Sequence, residues 1–167
     1  MQLKNTKDEL NKFAKYVIQQ ARTNLSKNRK NVTSDLYGSL GYDLNVSANS
    51  FSLEFYMLPY GAYVDKGVSG TKNKYNTIFS FTNKQPPSEP LAKWAKAKNI
   101  RLRDEKGRYT KGTYKSIGFI LARSIKEKGI KPSLFFTKPF EKAFERLPAD
   151  LIDKFNLDLD DLLDFTT

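Results

Sequence analysis

The chain contains no histidine and no cysteine, and one tryptophan in 167 residues. Without cysteine there is no disulfide, no thiolate nucleophile and no cysteine-ligated metal. Without histidine the commonest general base and the commonest transition-metal ligand are missing as well. No apolar run approaches the roughly 18 residues of a membrane span. The opening MQLKNTKDEL is polar and starts an amphipathic pattern instead of a secretion signal, so a soluble, non-secreted protein without membrane contact is expected. The carboxylates offer little to catalysis. Asp104-Glu105 lies in a basic stretch where both charges are expected to be solvated, and Asp158, Asp160, Asp161 and Asp164 lack the glycine and terminal glutamate of a calcium loop. Gly67-Val68-Ser69-Gly70-Thr71-Lys72 lacks the spacing of a phosphate loop and reads as a flexible turn. Neither an enzyme nor a cofactor is expected.

Charge is plentiful, and it is segregated. The net charge is +11, but residues 93–138 carry 14 basic and 3 acidic side chains, whereas residues 139–167 carry 3 and 8. A basic band attracts phosphates and acidic protein surfaces alike. Twenty-two aromatics (12 Phe, 9 Tyr and 1 Trp) exclude wholesale disorder. Tyr60, Tyr63, Trp94, Phe135, Phe136 and Phe140 are more than a thin fold readily buries. Most are expected in the core, and the remainder at a protein interface.

Periodicity places the elements. Leu10, Phe13, Ala14, Val17, Ile18, Ala21 and Leu25 predict a helix over 8–28, with Thr6 and Glu9 as a capping box and the polar cluster 26–31 as its end. A short helix is expected at 34–40, capped by Thr33. Tyr42, Leu44 and Val46, then Phe51, Leu53, Phe55 and Met57, alternate with polar residues across Asn49-Ser50, which predicts a hairpin with one wet face. A helical turn at 59–65 closes at Gly67, the loop 68–76 follows, and a third strand is expected at 77–82. Pro90 starts a helix that ends near Asn99, residues 101–112 form a flexible loop, and Tyr114 to Ile125 form a helix stopped by Gly129. Helices at 138–147 and 149–164 complete the chain, the last with its acids on the wet face. The order predicts an α+β fold. A small antiparallel sheet packs on a long N-terminal helix and C-terminal helices, with long flexible loops, in a single domain 1–167 whose core spans about 8–150.

The strongest chemical feature is the loop 101–112 and its flank: Arg101, Arg103, Lys106, Arg108, Lys111 and Lys115, interleaved with Tyr109 and Tyr114. Cations neutralise phosphates and tyrosines stack on bases, as in a nucleic-acid contact. The same composition serves a loop that docks on an acidic partner, or one that is merely solvated. Lys72, Lys74 and Tyr75 in the loop 68–76 form a second candidate docking segment.

At Tyr60-Gly61-Ala62-Tyr63-Val64-Asp65-Lys66-Gly67 the sequence resembles the head–tail joining (neck or tail-completion) proteins of tailed bacteriophages, in which a Tyr-Ala-x-[Tyr/Phe]-Val-[Glu/Asp]-x-Gly element follows a hairpin. Ser34-Asp35-Leu36-Tyr37-Gly38-Ser39-Leu40 is similar to the segment that precedes that hairpin, with Ser-Asp where Thr-Gly is usual. Pro132-Ser133-Leu134-Phe135-Phe136-Thr137-Lys138-Pro139-Phe140 is similar to the closing Pro-x-x-Phe-[Phe/Leu] element. The likeness runs in order over residues 8–150, with a long insert after Gly67. It implies a non-enzymatic virion protein, assembled in the host cytoplasm into a homo-oligomeric ring between portal or adaptor and tail, with phage DNA passing through the channel. From the residues alone, a stand-alone nucleic-acid-binding protein using residues 93–131 is the alternative, and a metal-dependent nuclease is a third reading for which no carboxylate pair stands out.

Overall fold

The computed structural model describes residues 3–27, 34–47 and 50–164. Over these the chain is α+β: helices α1 (Lys4–Lys27), α2 (Asp35–Ser39), α3 (Gly61–Lys66), α4 (Ser88–Ala97), α5 (Tyr114–Lys128), α6 (Thr137–Phe144) and α7 (Leu147–Asp164), with strands β1 (Gly41–Val46) and β2 (Phe51–Tyr56). No described helix is long and apolar enough to cross a membrane. The expected Thr33 cap, the turn residue Asn49 and the terminating residues 28–31 lie outside the described residues. The chain divides into two compact units, Met1–Gly61 with Leu134–Thr167, and Ala62–Ser133.

In the first unit α1 buries Leu10, Phe13, Ala14, Val17, Ile18, Ala21 and Leu25, the stripe that its 3.6-residue period dictates. Strands β1 and β2 pair antiparallel with Leu44 opposite Leu53, Val46 opposite Phe51 and Tyr42 opposite Phe55. This puts Tyr42, Leu44, Val46, Phe51, Leu53 and Phe55 on one face and Tyr56 on the other, and Leu44, Val46, Leu53 and Phe55 pack against Leu10, Phe13, Val17 and Leu147. Phe55 is the hub. Its ring meets Phe13, Phe136 and Phe140 edge-on at 6.2, 5.3 and 5.9 Å, the geometry that the aromatic quadrupole favours. Phe135 is wholly buried, and the Asn24 side-chain amide donates to its carbonyl. The closing Phe-Phe pair therefore belongs to the core of this unit.

Two expectations for the first unit change. Thr6 is not a cap. The helix starts two residues earlier, and Thr6 lies inside its first turn, buried, with its hydroxyl donating to Asp158 Oδ2 at 2.7 Å. Asp158 in turn is not on a wet face. It is 3% exposed, and it also accepts from the Thr6 and Asn5 amides at 2.9 and 2.8 Å and from the Asn5 side chain at 3.0 Å. The first amides of a helix have no partner within it. Here a carboxylate 152 residues away in sequence satisfies them, so no local capping signal was needed.

In the second unit, α3 ends at Gly67, where φ is +72° and an added Cβ would meet the Ile130 carbonyl at 2.5 Å and Pro132 at 2.7 Å. Val68 and Ile130 form an antiparallel bridge, and the Ser133 amide donates to Asp65 O at 3.0 Å. Helices α4 and α5 pack through small residues: Ala95 and Ala122 are fully buried, and a Cβ at Gly118 would strike the Ser88 carbonyl and Ala92. The expected third strand at 77–82 does not form. Only Ser80 bridges, to Ser69, and Ile78 is 83% exposed. Beyond Ser69 the chain turns away, so 77–82 has one residue to pair with instead of a strand. The loop 68–76 is likewise structured: the Thr71 and Lys72 amides donate to Lys126 O and Glu127 O, both at 2.9 Å. These bonds occupy carbonyls at the C-terminal end of α5, which a helix leaves without internal partners.

Candidate interaction surface

The segment 101–112 is a small hairpin where a flexible loop was expected. Asp104 organises it: its Oδ1 accepts from the Lys106 and Arg108 amides at 3.0 and 2.8 Å, while the Gly107 amide donates to Asp104 O at 2.9 Å. An aspartate that satisfies backbone amides a few residues on is a turn former, and Gly107 supplies the φ of +78° that the turn requires. Asp104 is thus committed to the backbone, not simply solvated. Asp104 N to Arg108 O, the bridge between Arg103 and Tyr109, and Thr110 N to Leu102 O extend the ladder from the tip. At its base Leu102 lies where a Cβ on Gly112 would fall, 2.6 Å away.

Tyr109 is the platform of the hairpin. The Arg103 guanidinium lies 4.5 Å from its ring centroid and that of Arg101 5.7 Å, while Arg103 Nη2 donates to the Tyr109 hydroxyl at 2.9 Å. Such stacking fixes the planes of two cations without neutralising them. Among the described residues, Arg101, Arg103, Lys106, Arg108, Lys111 and Lys115 form no ion pair. Lys115 sits in the first turn of α5, which contains no acidic residue. That is the end of a helix where a positive charge is least favourable. The charge there does not serve the helix, and it adds to the field around the hairpin.

The second candidate segment is held differently. Lys72 pairs with Glu127 at 2.6 Å, Lys74 Nζ donates to Gly70 O at 2.8 Å, and the Tyr75 amide donates to the Ser69 hydroxyl at 3.0 Å. The hydrogen bond and charge of Lys72, with Arg123 and Lys128 nearby, hold the Glu127 carboxyl below its usual range. Lys72 thus braces the α5 terminus and the bonds of Lys74 and Tyr75 hold the loop itself, whereas the hairpin cations are exposed. Of the six aromatics singled out, Phe135 is buried and Phe136 and Phe140 are half-buried, whereas Tyr60, Tyr63 and Trp94 are exposed.

The division into units sharpens the charge pattern. Ala62–Ser133 carries 17 basic and 5 acidic side chains, net +12, and the remainder carries 12 and 13, net −1. The whole excess of the molecule therefore resides in the second unit. No window of composition marks the boundary at 61 or 133, so the sequence signal was a band and not a unit. Among the described residues no three carboxylates are grouped to hold a metal ion. Comparison of the chain with known protein families, with characterised proteins and with solved structures found no match.

Proposed function

We propose that the protein is a structural component of the head–tail connector of a tailed bacteriophage, forming part of a ring between portal or adaptor and tail. The observation that carries this reading is the ordered set of motifs at 34–40, 60–67 and 132–140, together with the way two of them meet. The Ser133 hydroxyl and amide engage Val64 O (2.5 Å for the hydroxyl) and Asp65 O, and Gly67 lies against Pro132. Residues nearly 70 positions apart are thus in direct contact, which supports reading the two motifs as parts of one structural element. The long insert after Gly67 corresponds to most of the basic unit. In this reading the insert is a docking module whose stacked cations meet an acidic surface of a neighbouring virion protein. The acidic C-terminal segment, residues 139–167, meets other neighbours.

Antibody against this chain should label the head–tail junction of particles that carry its gene. Replacing Arg101, Arg103 and Arg108 together with glutamate should block incorporation. Absence of the chain from purified particles would overturn the reading. Tight, steeply salt-dependent binding of the isolated chain to DNA would then favour the nucleic-acid alternative, because each phosphate contact adds to the salt slope.

A further inference from the structure

In the first unit one flank of α1 borders an open groove of about 780 Å³, closed on its other sides by α2 and the paired ends of β1 and β2. Among the described residues its lining holds three cations, Lys15, Arg22 and Lys27, and three tyrosines, Tyr37, Tyr42 and Tyr56, and no carboxylate. From Lys15 to Lys27 the groove follows α1 for about 18 Å at 1.5 Å per residue. None of the three cations forms an ion pair among the described residues. Lys27 suits the last turn of α1, where a helix favours a cation, but Lys15 and Arg22 lie outside that turn. Backbone carbonyls set the plane of Arg22: its Nε donates to Tyr37 O at 3.2 Å and its Nη2 to Leu40 O at 3.0 Å, with the guanidinium 5.3 Å from the Tyr37 ring centroid. A guanidinium has five N–H donors, so three are left, and its charge is not neutralised. Tyr56 is placed by what Gly41 lacks. The two lie opposite each other in the hairpin register, and a Cβ on Gly41 would meet the Tyr56 ring at 2.3 Å. The ring thus rests on bare backbone and is 52% exposed.

We infer that this groove binds a nucleoside phosphate, free or as part of a single strand, with phosphate on the Lys15–Arg22–Lys27 row and a base stacked on Tyr56. Its volume lies within the range of about 300–1,000 Å³ common to ligand sites. Cations alone would suit any anion, and the exposed ring beside them narrows the choice. Every base has a π-face that stacks on tyrosine whatever the sequence, and a cationic groove with such a ring is how single strands are held. A duplex keeps its bases stacked on one another, and an acidic side chain offers the ring no flat partner. All of these residues belong to the first unit and none to the 101–112 hairpin, so the inference does not rest on the connector reading.

The full chain with Arg101→Gln, Arg103→Gln and Arg108→Gln, which removes the hairpin cations and leaves the groove intact, is the background for the test. Its binding is read by fluorescence anisotropy of a labelled oligothymidylate and by calorimetry with AMP and ATP. Binding of the oligothymidylate alone assigns a strand as the source, and binding of AMP or ATP assigns free nucleotides. Added to this background, Lys15→Gln and Tyr56→Ala change exposed side chains, so each should keep the circular dichroism and weaken binding by about fivefold or more. Tyr56→Phe should bind as before, because the ring is what stacks, whereas Gly41→Ala should weaken binding by displacing that ring. With the oligothymidylate, Lys15→Gln should also lower the slope of log affinity against log salt by about 0.7. Failure of all three probes to bind overturns the inference. So does affinity that neither Tyr56→Ala nor Gly41→Ala changes, or displacement of the probe by oligoglutamate at equal concentration, which would make the groove an acidic-peptide site. Because the hairpin is neutral in this background, either result leaves the connector reading to the particle experiments.

Discussion

At the residue scale the most consequential side chain is Asp158. Burial pushes its carboxyl pKa up, but the hydrogen bonds from the Thr6 side chain and amide and from Asn5 outweigh that, and the net displacement is downward. The positive end of the 24-residue α1 acts in the same direction. A carboxyl whose folded pKa lies below its unfolded value stabilises fully above the unfolded value, near pH ~4, and that contribution disappears as pH falls through the folded value. Asp158→Asn should therefore flatten the acid limb of stability against pH. Asp158→Ala, which strands buried donors, should cost about 2 kcal/mol at neutral pH. Urea unfolding from pH 2 to 7 reads both effects, and an unchanged acid limb in the asparagine variant would refute the assignment.

At the scale of elements, what was legible in the sequence followed from local periodicity. The stripe of α1 and the alternation of Tyr42–Val46 with Phe51–Phe55 each mark an element whose partner face is apolar and continuous. The third strand failed because alternation at 77–82 states a preference for pairing without supplying a neighbour, and Ser69 alone bridges it. The 101–112 hairpin was missed for a related reason: it contains almost no apolar residue, and Asp104 and Gly107 define it through backbone hydrogen bonds. The basic candidates Arg101 to Lys115 were legible as charge. Their stacking on Tyr109 was not, because it depends on which residues face each other across the turn. Asp104→Ala should remove both side-chain acceptor contacts and loosen the tip without touching either helix. Limited trypsin digestion should then cut after Arg103, Lys106 or Arg108 several-fold faster, with the melting temperature unchanged. Equal cleavage rates would mean that Asp104 does not hold the turn.

At the scale of the whole molecule the two units are unequally cored. Among the described residues, twelve of the sixteen buried hydrophobic ones lie in Met1–Gly61 with Leu134–Thr167, and four, Val68, Ala95, Ile117 and Ala122, lie in Ala62–Ser133. The thin core belongs to the unit with net charge +12, whose self-repulsion adds to the cost of keeping it compact. That unit should open first, and the composition supplies its reporter, since the single tryptophan, Trp94, lies on α4 within it. Trp94 fluorescence should change at a lower urea concentration than the main loss of helical circular dichroism, which α1 and α7 dominate by length. Gly118→Leu would force a side chain into the Ser88 carbonyl and Ala92, where backbone leaves little room to yield. It should shift the fluorescence transition down by about 1–3 kcal/mol and leave the later transition in place. Coincident transitions in wild type, moved together by Gly118→Leu, would instead mean that the basic unit has no stability separate from the rest. An independently opening unit is what a docking module requires if it orders fully only on its partner. High salt, which screens the repulsion among its cations, should bring the two transitions closer together.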